Sequence, residues 1–419
     1  MATTKTDLLV YAHWQGMETP KLIGVLSAQQ AKGRKAFSFE YSKEWIRSKE
    51  QILLDPDIGW YSGQQYPAGK ENFGVIFDSM PDTWGRTLMR KRAAQKAKEE
   101  SRPASVLYDT DYLLGVNDEC RMGGVRLKLD KDGPFLDNNP DFPIPPLSRI
   151  RELQHAAEVL EANEESENIN KWLAILMAPG SSLGGARPKA NLVDEQGNLW
   201  IAKFPSKSDT IDKGAWEFLA YKLALKAGID MTESRIEKVY GNHHTFFTKR
   251  FDRNKSERIH FASAMTMTGN NEDTLKEKPA GYLDIAEFIQ FTGVRNQKDL
   301  HQLWKRIVFN MAISNTDDHL RNHGFLLTEG GWILSPAFDI NPSIEKEGLA
   351  LNVDGHSYAL SFRLAKSVGE YFQLNDPAMN EIINDVVKAA KSWRKEAMAI
   401  GIPHSEQDLM APAFLERLS

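Results

Sequence analysis

The stretch Ser314-Asn315-Thr316-Asp317-Asp318-His319-Leu320-Arg321-Asn322, followed downstream by Ala337-Phe338-Asp339, decides how this chain reads. It places three oxygen-bearing side chains in an order suited to phosphoryl transfer. Asp317 and Asn322 are five residues apart, and Asp339 supplies a second carboxylate. Between them, Gly324-Phe-Leu-Leu327 and Trp332-Ile-Leu334 flank Thr328-Glu-Gly-Gly331, the pattern of a β-hairpin that would carry Asp339 back beside Asn322. A hydroxyl acceptor needs a carboxylate to take its proton, and a triphosphate needs a metal held by hard oxygen ligands. On this reading Asp317 is the base, and Asn322 and Asp339 hold Mg²⁺. Asp and Asn also cap helices and close turns, so the spacing alone has a purely structural reading as well.

Working outward, 419 residues, 26% charged and 41% hydrophobic, are enough for a sizeable core and two or three domains of a globular protein. A formal charge of -5 gives no overall reason to expect a nucleic-acid or membrane surface. The single cysteine, Cys120, excludes an intrachain disulfide framework and a multi-thiolate metal site, which points to a reducing cytoplasm. No signal peptide is expected at the N-terminus, and no apolar run reaches the ~18 residues of a membrane span.

The N-terminal part mixes strands and helices. Leu8–Tyr11, Lys21–Leu26 and Ala36–Tyr41 read as an antiparallel meander. Met80-Pro-Asp-Thr-Trp-Gly-Arg86 introduces a basic helix carrying Arg90, Lys91, Arg92, Lys96 and Lys98, a solvated face in the first instance. Asp111-Tyr-Leu-Leu-Gly115 leads into Gly123-Gly-Val-Arg-Leu127. Pro134, Pro140, Pro143, Pro145 and Pro146 mark a linker or a wrapped extended strap. Leu147–Ile175 reads as helical, with Ile150, Leu153, Ala157 and Leu160 on one face.

Pro179-Gly-Ser-Ser-Leu-Gly-Gly-Ala-Arg-Pro-Lys189 is a glycine- and serine-rich loop feeding the strands Ala190–Val193 and Leu199–Phe204. Such a loop can lay backbone N–H groups on phosphate oxygens, although it lacks the Walker arrangement and also reads as a surface hairpin loop. Lys203, within Trp200-Ile-Ala-Lys-Phe-Pro205, resembles the strand lysine of protein kinases that grips the α- and β-phosphates. Its natural partner is Glu217, in the helix Ala215–Leu225 that buries Trp216, Leu219, Ala220 and Leu223. The polar stretch Ser206–Gly214 is expected to be a mobile, substrate-gating loop. Asp317 and Asn322 repeat the spacing of the kinase catalytic loop H-R-D-x-x-x-x-N. The order of loop, lysine strand, glutamate helix, catalytic loop and metal carboxylate follows a kinase throughout.

These residues resemble the HipA-type serine/threonine kinases, the toxin half of HipBA-like toxin–antitoxin modules. Met80-Pro-Asp-Thr-Trp84 and Asp111–Gly115 resemble the HipA-specific N-terminal domain. Ser182-Leu-Gly-Gly-Ala-Arg-Pro-Lys189, Ile201-Ala-Lys-Phe-Pro205, Lys249-Arg-Phe-Asp-Arg253, Asn315-Thr-Asp-Asp-His319 and Phe338-Asp-Ile340 follow the kinase motifs in order. The resemblance implies an α+β, kinase-like bilobal fold with an α/β N-terminal domain (1–133), the proline-rich strap (134–148), a kinase N-lobe (149–250) and an all-helical C-terminal lobe (251–419). It implies ATP and Mg²⁺ as cofactors and a nucleotide site made of Ser182, Leu183, Gly184, Gly185, Ala186, Lys203, Glu217, Arg250, Phe251, His319, Asn322 and Asp339. It also implies phosphorylation of a protein serine, in the best-known members on glutamyl-tRNA synthetase, so that this or another aminoacyl-tRNA synthetase is the expected target. A HipB-like DNA-binding antitoxin is the expected partner, with operator DNA reached through it, in the cytoplasm and away from membranes. Family members silence themselves by phosphorylating a loop serine, here Ser182 with Ser181 adjacent; two added negative charges would expel the loop from the ATP phosphates. The loop departs from the best-known toxins at Arg187 and Pro188, where they carry Gln-Glu, and at Lys249, where they carry a glutamate.

The helix Asp299–Met311 presents Leu300, Leu303, Trp304, Ile307, Val308 and Met311 on one face and reads as the core helix delivering the catalytic loop. A further helix, Pro377–Ile400, should bury Ile382, Ile383, Val386, Val387 and Trp393 and expose Lys388, Lys391, Arg394 and Lys395, a solvated stripe or one lying near operator DNA. His319 is expected to order the loop by hydrogen bonding, and His243-His244 lacks the companions of a zinc site. Two alternatives stand beside the protein-kinase reading: a small-molecule kinase of the same fold, and a catalytically quiet corepressor of a DNA-binding antitoxin.

Overall fold

The computed structural model of the chain describes residues 4–31, 34–48, 51–136, 144–162, 172–173, 176 and 185–414. In chain order these form β1 (Thr4–Ala12), β2 (Lys21–Ala31), β3 (Arg34–Tyr41), α1 (Lys43–Arg47), α2 (Gly74–Asp78), α3 (Thr83–Glu99), α4 (Asp109–Leu114), β4 (Val125–Lys128), α5 (Ile150–Glu161), β5 (Lys189–Val193) and β6 (Leu199–Lys203). There follow α6 (Lys213–Lys226), β7 (Ser234–Glu237), β8 (Thr245–Lys249), β9 (Arg253–Asn254), β10 (Glu257–Arg258), β11 (Phe261–Ser263), α7 (Ala264–Met267), α8 (Glu272–Glu277), α9 (Tyr282–Thr292) and α10 (Asn296–Ala312). The last elements are β12 (Gly324–Thr328), β13 (Gly331–Leu334), α11 (Phe362–Ser367), α12 (Asp376–Lys391), α13 (Trp393–Ile400) and α14 (His404–Met410). The chain is α+β and divides into two compact units: residues 1–207 with 252–262 and 269–273, and residues 208–251 with 263–268 and 274–419.

In the first unit, period-two alternation makes the sheet. Leu8, Val10 and Ala12 of β1 are buried, as are Leu26 and Ala28 of β2 and Phe37 and Phe39 of β3. The strands pair antiparallel in the order β3-β2-β1-β4, with Leu8 opposite Leu26 and Val10 opposite Leu127. Arg121, fully buried, donates to the carbonyls of Ser79 at 2.8 Å, Leu113 at 3.0 Å and Val116 at 3.2 Å, tying α2 and α4 together. The segment Asp252–Ala262 joins this unit through charge. Asp252 accepts from the Gly123 N–H at 2.8 Å, Arg253 donates to the Arg121 carbonyl at 2.7 Å, and Arg258 reaches the Asp118 carboxylate at 3.1 Å. Gly123 has φ +72°, and a Cβ there would lie 2.9 Å from the Phe261 nitrogen, so this close approach requires glycine. His260 stacks on Trp14, ring centroids 5.0 Å apart.

The proline-rich stretch is fastened at its described ends. The Leu136 N–H bonds to the Leu127 carbonyl at 2.8 Å, and the Val193 N–H to the Pro145 carbonyl at 3.1 Å. The expected helix from Leu147 to Ile175 begins as a 3₁₀ turn at Leu147–Arg149 and continues as α5, which buries Ile150, Leu153, Ala157 and Leu160. Its expected continuation beyond residue 162 falls largely outside the described residues.

The second unit is built around α6 and α10. Trp216, Leu219, Ala220 and Leu223 are buried in α6, and all six apolar positions named on α10 are buried. The expected single helix Pro377–Ile400 is two helices. Ser392, with φ −82° and ψ 0°, ends α12 and begins α13, and its hydroxyl bonds to the Ala389 carbonyl at 2.7 Å. Trp393, the first residue of α13, stacks on Phe414 with ring centroids 4.4 Å apart, a contact that a 3.6-residue period cannot forecast. Val386 is buried, whereas Ile382, Ile383 and Val387 are only half-buried. Lys388, Lys391, Arg394 and Lys395 are exposed, and Arg394 bonds to Asp408 at 3.2 Å. The stretch expected to be a mobile gate is anchored by acceptors at each end. In the first unit, Glu161 accepts from the Ser206 hydroxyl and from the Lys207 N–H at 3.0 Å. In the second, Asp212 caps α6, accepting from Ala215 N–H at 3.1 Å, and also bonds the His244 ring at 2.6 Å.

Candidate active site

Helix α10 delivers the 314–322 loop through a left-handed stop. Ser314 has φ +50°, its N–H bonds to the Met311 carbonyl at 3.4 Å, and the Asn315 N–H reaches back to Asn310 at 2.8 Å. This double closure is the Schellman motif. The loop then folds on its own backbone: His319 N–H bonds to the Asp317 carbonyl at 3.0 Å and Asn322 N–H to the His319 carbonyl at 2.8 Å. The Asn322 side-chain amide also donates to the Asp317 carbonyl, at 3.1 Å. Asp317 and Asn322 are thereby brought together. The Asp317 side chain is 73% exposed, with the Lys346 ammonium 3.3 Å away, whereas Asn322 is buried. The His319 backbone orders the loop through its two bonds with Asp317 and Asn322, and its ring Nδ1 is buried with no hydrogen-bond partner among the described residues.

The side chain that fixes this loop is Asp318. Buried beneath it, the carboxylate accepts from the Tyr282 hydroxyl at 2.6 Å, the Asn310 amide at 2.7 Å and the His323 Nε2 at 2.8 Å. Burial pushes its pKa up, but the charge and hydrogen bond of His323 and the bond from Tyr282 outweigh that and hold the carboxyl below its ordinary value. Tyr282 is pushed well up, by burial first and by Asp318 next. Asn315 adds a 3.0 Å bond to the Asn310 carbonyl oxygen of the side chain, so α9, α10 and the loop share one polar network. A buried arginine of α10, Arg306, donates to the Ser335 carbonyl at 2.6 Å, and burial lowers its pKa to about 10.

The hairpin forms with Phe325 opposite Leu334 and Thr328 opposite Gly331, and the Ser335 N–H extends it to the Gly324 carbonyl at 2.9 Å. Glu329 and Gly330 form the two-residue turn, and Gly331 opens β13 directly after it at φ +127°. Asp299 on α10 receives the Leu334 N–H at 2.9 Å and so anchors the returning strand. The chain after β13 runs beside Met231, with Ala337 N–H bonded to the Asp230 carbonyl at 2.8 Å. It then reaches Asp339, a non-glycine residue at φ +55°. Such backbone costs of order 1–3 kcal/mol and clusters at functional sites. Asn341 donates to the Asp339 carboxylate at 3.2 Å. Phe338 packs against Phe251, ring centroids 5.3 Å apart, and Arg250 is buried beside it in sequence.

The remaining candidate residues distribute as follows. Gly185 and Ala186 are exposed, with Gly185 at φ +107°, and Lys203 closes β6, half-buried and directly opposite Lys189 of β5. These three belong to the first unit. Glu217 is buried in α6 of the second. Ser181, Ser182, Leu183 and Gly184 lie outside the described residues.

The donor set suits a hard cation. Asn322 spends its amide nitrogen on the Asp317 carbonyl, so its amide oxygen is the atom that could ligate such an ion, and Asp339 could offer a carboxylate. Asp318 lies inside the linear motif but received no role from sequence, and Tyr282, Asn310 and His323 were not singled out as functional. A polar Asn310 within the apolar face of α10 was the one available signal.

Residues 181–394 match the family profile of the HipA-like C-terminal domain, and the chain belongs to that family. Among solved structures, the Shewanella oneidensis MR-1 toxin–antitoxin system HipA, in complex with HipB and its operator DNA, superposes with a TM-score of 0.66 at 16% identity, covering 98% of this chain and 96% of that one. The two share a fold. A Helicobacter pylori proinflammatory kinase, CtkA, matches 56% of this chain and 91% of its own at 16% identity, but its TM-score of 0.41 is too low to argue from. A curated Haemophilus influenzae protein, provisionally described as a kinase, is 24% identical over 180 residues, 38% of this chain. The match spans about half of that relative's length, 52%. No described helix is long and apolar enough to cross a membrane.

Proposed function

We propose that this chain is an ATP- and Mg²⁺-dependent serine/threonine-protein kinase acting as the toxin of a HipBA-like module. The observation that carries this is the loop held by buried Asp318, which presents Asp317 outward and Asn322 inward from one rigid turn. Asp317 accepts the proton of the acceptor hydroxyl as its oxygen bonds to the γ-phosphorus, while the bond from that phosphorus to the β–γ bridging oxygen breaks and ADP leaves. Its exposure suits an acceptor delivered by another macromolecule. Asn322 and Asp339 hold the Mg²⁺, which when bound neutralises charge on the phosphates. Lys203 contacts the α- and β-phosphates, Glu217 orients it, and Gly185 and Ala186 with Ser182, Leu183 and Gly184 supply the glycine-rich loop. Arg250, Phe251 and His319 complete the nucleotide contacts.

The HipA of the Shewanella complex is found with HipB and operator DNA. By analogy, the partner here is a HipB-like DNA-binding antitoxin, with operator DNA engaged mainly through it, in the cytoplasm. The protein target is a translation factor such as glutamyl-tRNA synthetase or another aminoacyl-tRNA synthetase, and Ser182 is the self-inhibitory phosphorylation site.

Incubation with MgATP followed by intact mass measurement and peptide mapping tests the proposal. A phosphate-sized increase on Ser182, absent in Asp317→Ala, is the expected result. Transfer of γ-phosphate to metabolites and to no protein would replace the protein-kinase reading with a small-molecule kinase. No transfer to any acceptor would leave a corepressor.

A further inference from the structure

Lys189 closes the glycine-rich stretch, and its position near a phosphate loop suggests a phosphate-binding lysine. Its ammonium is elsewhere engaged. It lies 2.7 Å from the carboxylate of Asp82, with both side chains 2% exposed. Asp82 is the N-cap of α3, and its other oxygen accepts the Gly85 N–H at 2.8 Å. Two residues on, the Trp84 indole N–H donates to the Lys189 carbonyl at 3.1 Å and the Trp84 backbone N–H to the Gly185 carbonyl at 3.3 Å. Both ends of Gly185-Ala-Arg-Pro-Lys189 are therefore held by the first turn of a helix about a hundred residues earlier.

The pair also resolves a charge problem. Lys189 and Lys203 are directly opposite in the β5–β6 ladder, so their side chains leave the same face. Two ammonium groups in that position repel. Asp82 neutralises one of them within the protein and so relieves that repulsion.

We propose that Asp82 is a positioning residue for phosphoryl transfer: with Trp84 it clamps Lys189 and Gly185 and so fixes the stem of the phosphate loop. This rests on the kinase reading above. It makes the Met80–Arg86 segment part of the nucleotide-binding apparatus, although the segment contacts no nucleotide itself. A buried pair that loses one partner leaves an uncompensated charge, whereas replacing both partners by neutral groups is far milder. The consequence is non-additivity between Asp82 and Lys189.

The test uses the full chain with Asp82→Asn, Lys189→Met, the double variant and Trp84→Phe, which retains a smaller aromatic ring and removes the indole N–H bond. Hydrogen exchange at residues 185–189 and steady-state kinetics with MgATP are measured well below each variant's Tm. Exchange at 185–189 in Asp82→Asn is expected to rise about tenfold, with KM for ATP rising about tenfold and kcat changing less than twofold. The double variant should recover most of the loss, and Trp84→Phe should show a smaller loss of the same kind. Unchanged exchange and unchanged KM in Asp82→Asn, or additive effects in the double variant, would overturn the clamp. If Asp82→Asn does not fold, Trp84→Phe decides by the same two measurements. Wild-type chain that neither binds nor turns over MgATP sinks the kinase reading instead, and the exchange data still judge whether Asp82 fixes this stem.

Discussion

The Nε2 of His323 lies 2.8 Å from the carboxylate of Asp318, so the residue adjoining the proposed base is gripped from within its own loop. Tyr282 and Asn310 complete the grip from two helices. Asp317 therefore projects from a turn whose conformation is set by its neighbour, and the two successive aspartates divide the work between support and chemistry.

Asp317→Asn should separate these roles. Removing the base is expected to lower phosphotransfer by about 10²–10⁴-fold. Because the side chain is 73% exposed, stability should change by no more than about 0.5 kcal/mol. Asp339→Asn should instead abolish Mg²⁺-dependent nucleotide binding. Calorimetric titration with MgATP alongside thermal melts checks both; an Asp317→Asn enzyme with full turnover would remove Asp317 from the chemistry.

Asp318→Asn should unfold the loop's support. Breaking a buried charged network by removing one partner costs about 3–5 kcal/mol at neutral pH. The folded-state carboxyl sits below its ordinary 3.8, so this stabilisation is present above about pH 4 and is lost as pH falls through the folded value. The gap between wild type and variant, measured by denaturant titration, should narrow below pH 4. A gap that stays constant would mean the charge of Asp318 is not what matters.

His260 supplies an acid-sensitive element in the first unit. Burial against Trp14 lowers its pKa from 6.5 to about 3. The unfolded chain therefore binds this proton first, so the contribution is whole above pH 6.5 and declines as pH drops toward 3, by at most about 1.4 kcal/mol per pH unit. His260→Phe retains an aromatic ring against Trp14 and removes the titration, along with the Nδ1 that accepts the Gly124 N–H at 3.4 Å. Its unfolding free energy should fall less steeply between pH 6.5 and 4 than that of wild type, and equal slopes would refute this origin.

Ser314→Gly is expected to stabilise the protein by about 1–2 kcal/mol. The residue holds a left-handed backbone at φ +50°, and its hydroxyl is buried without a hydrogen-bond partner among the described residues. Glycine relieves both. A lowered Tm would show that the hydroxyl has a use the geometry does not reveal.

Much of the secondary structure was legible in local pattern. The meander, the core face of α10, the buried face of α6 and the hairpin between Asn322 and Asp339 all follow from periodicity and turn composition. The division of Pro377–Ile400 at Ser392 was not legible, because the stacking of Trp393 on Phe414 is a contact between chain segments that no helical period encodes. The anchoring of Ser206–Lys207 by Glu161 was hidden for the same reason.

What the sequence determined by itself was the order of chemical groups and the fold family they imply: spacing along a chain fixes which residues share a turn, a strand face or a helix stripe. What only the tertiary structure decided was the partners of the buried polar groups. Asp318 with Tyr282, Asp82 with Lys189, and Asp252 with Gly123 join positions 36, 107 and 129 residues apart. A buried charge must find its counterpart wherever folding brings one, and burial, unlike periodicity, is a property of the whole chain.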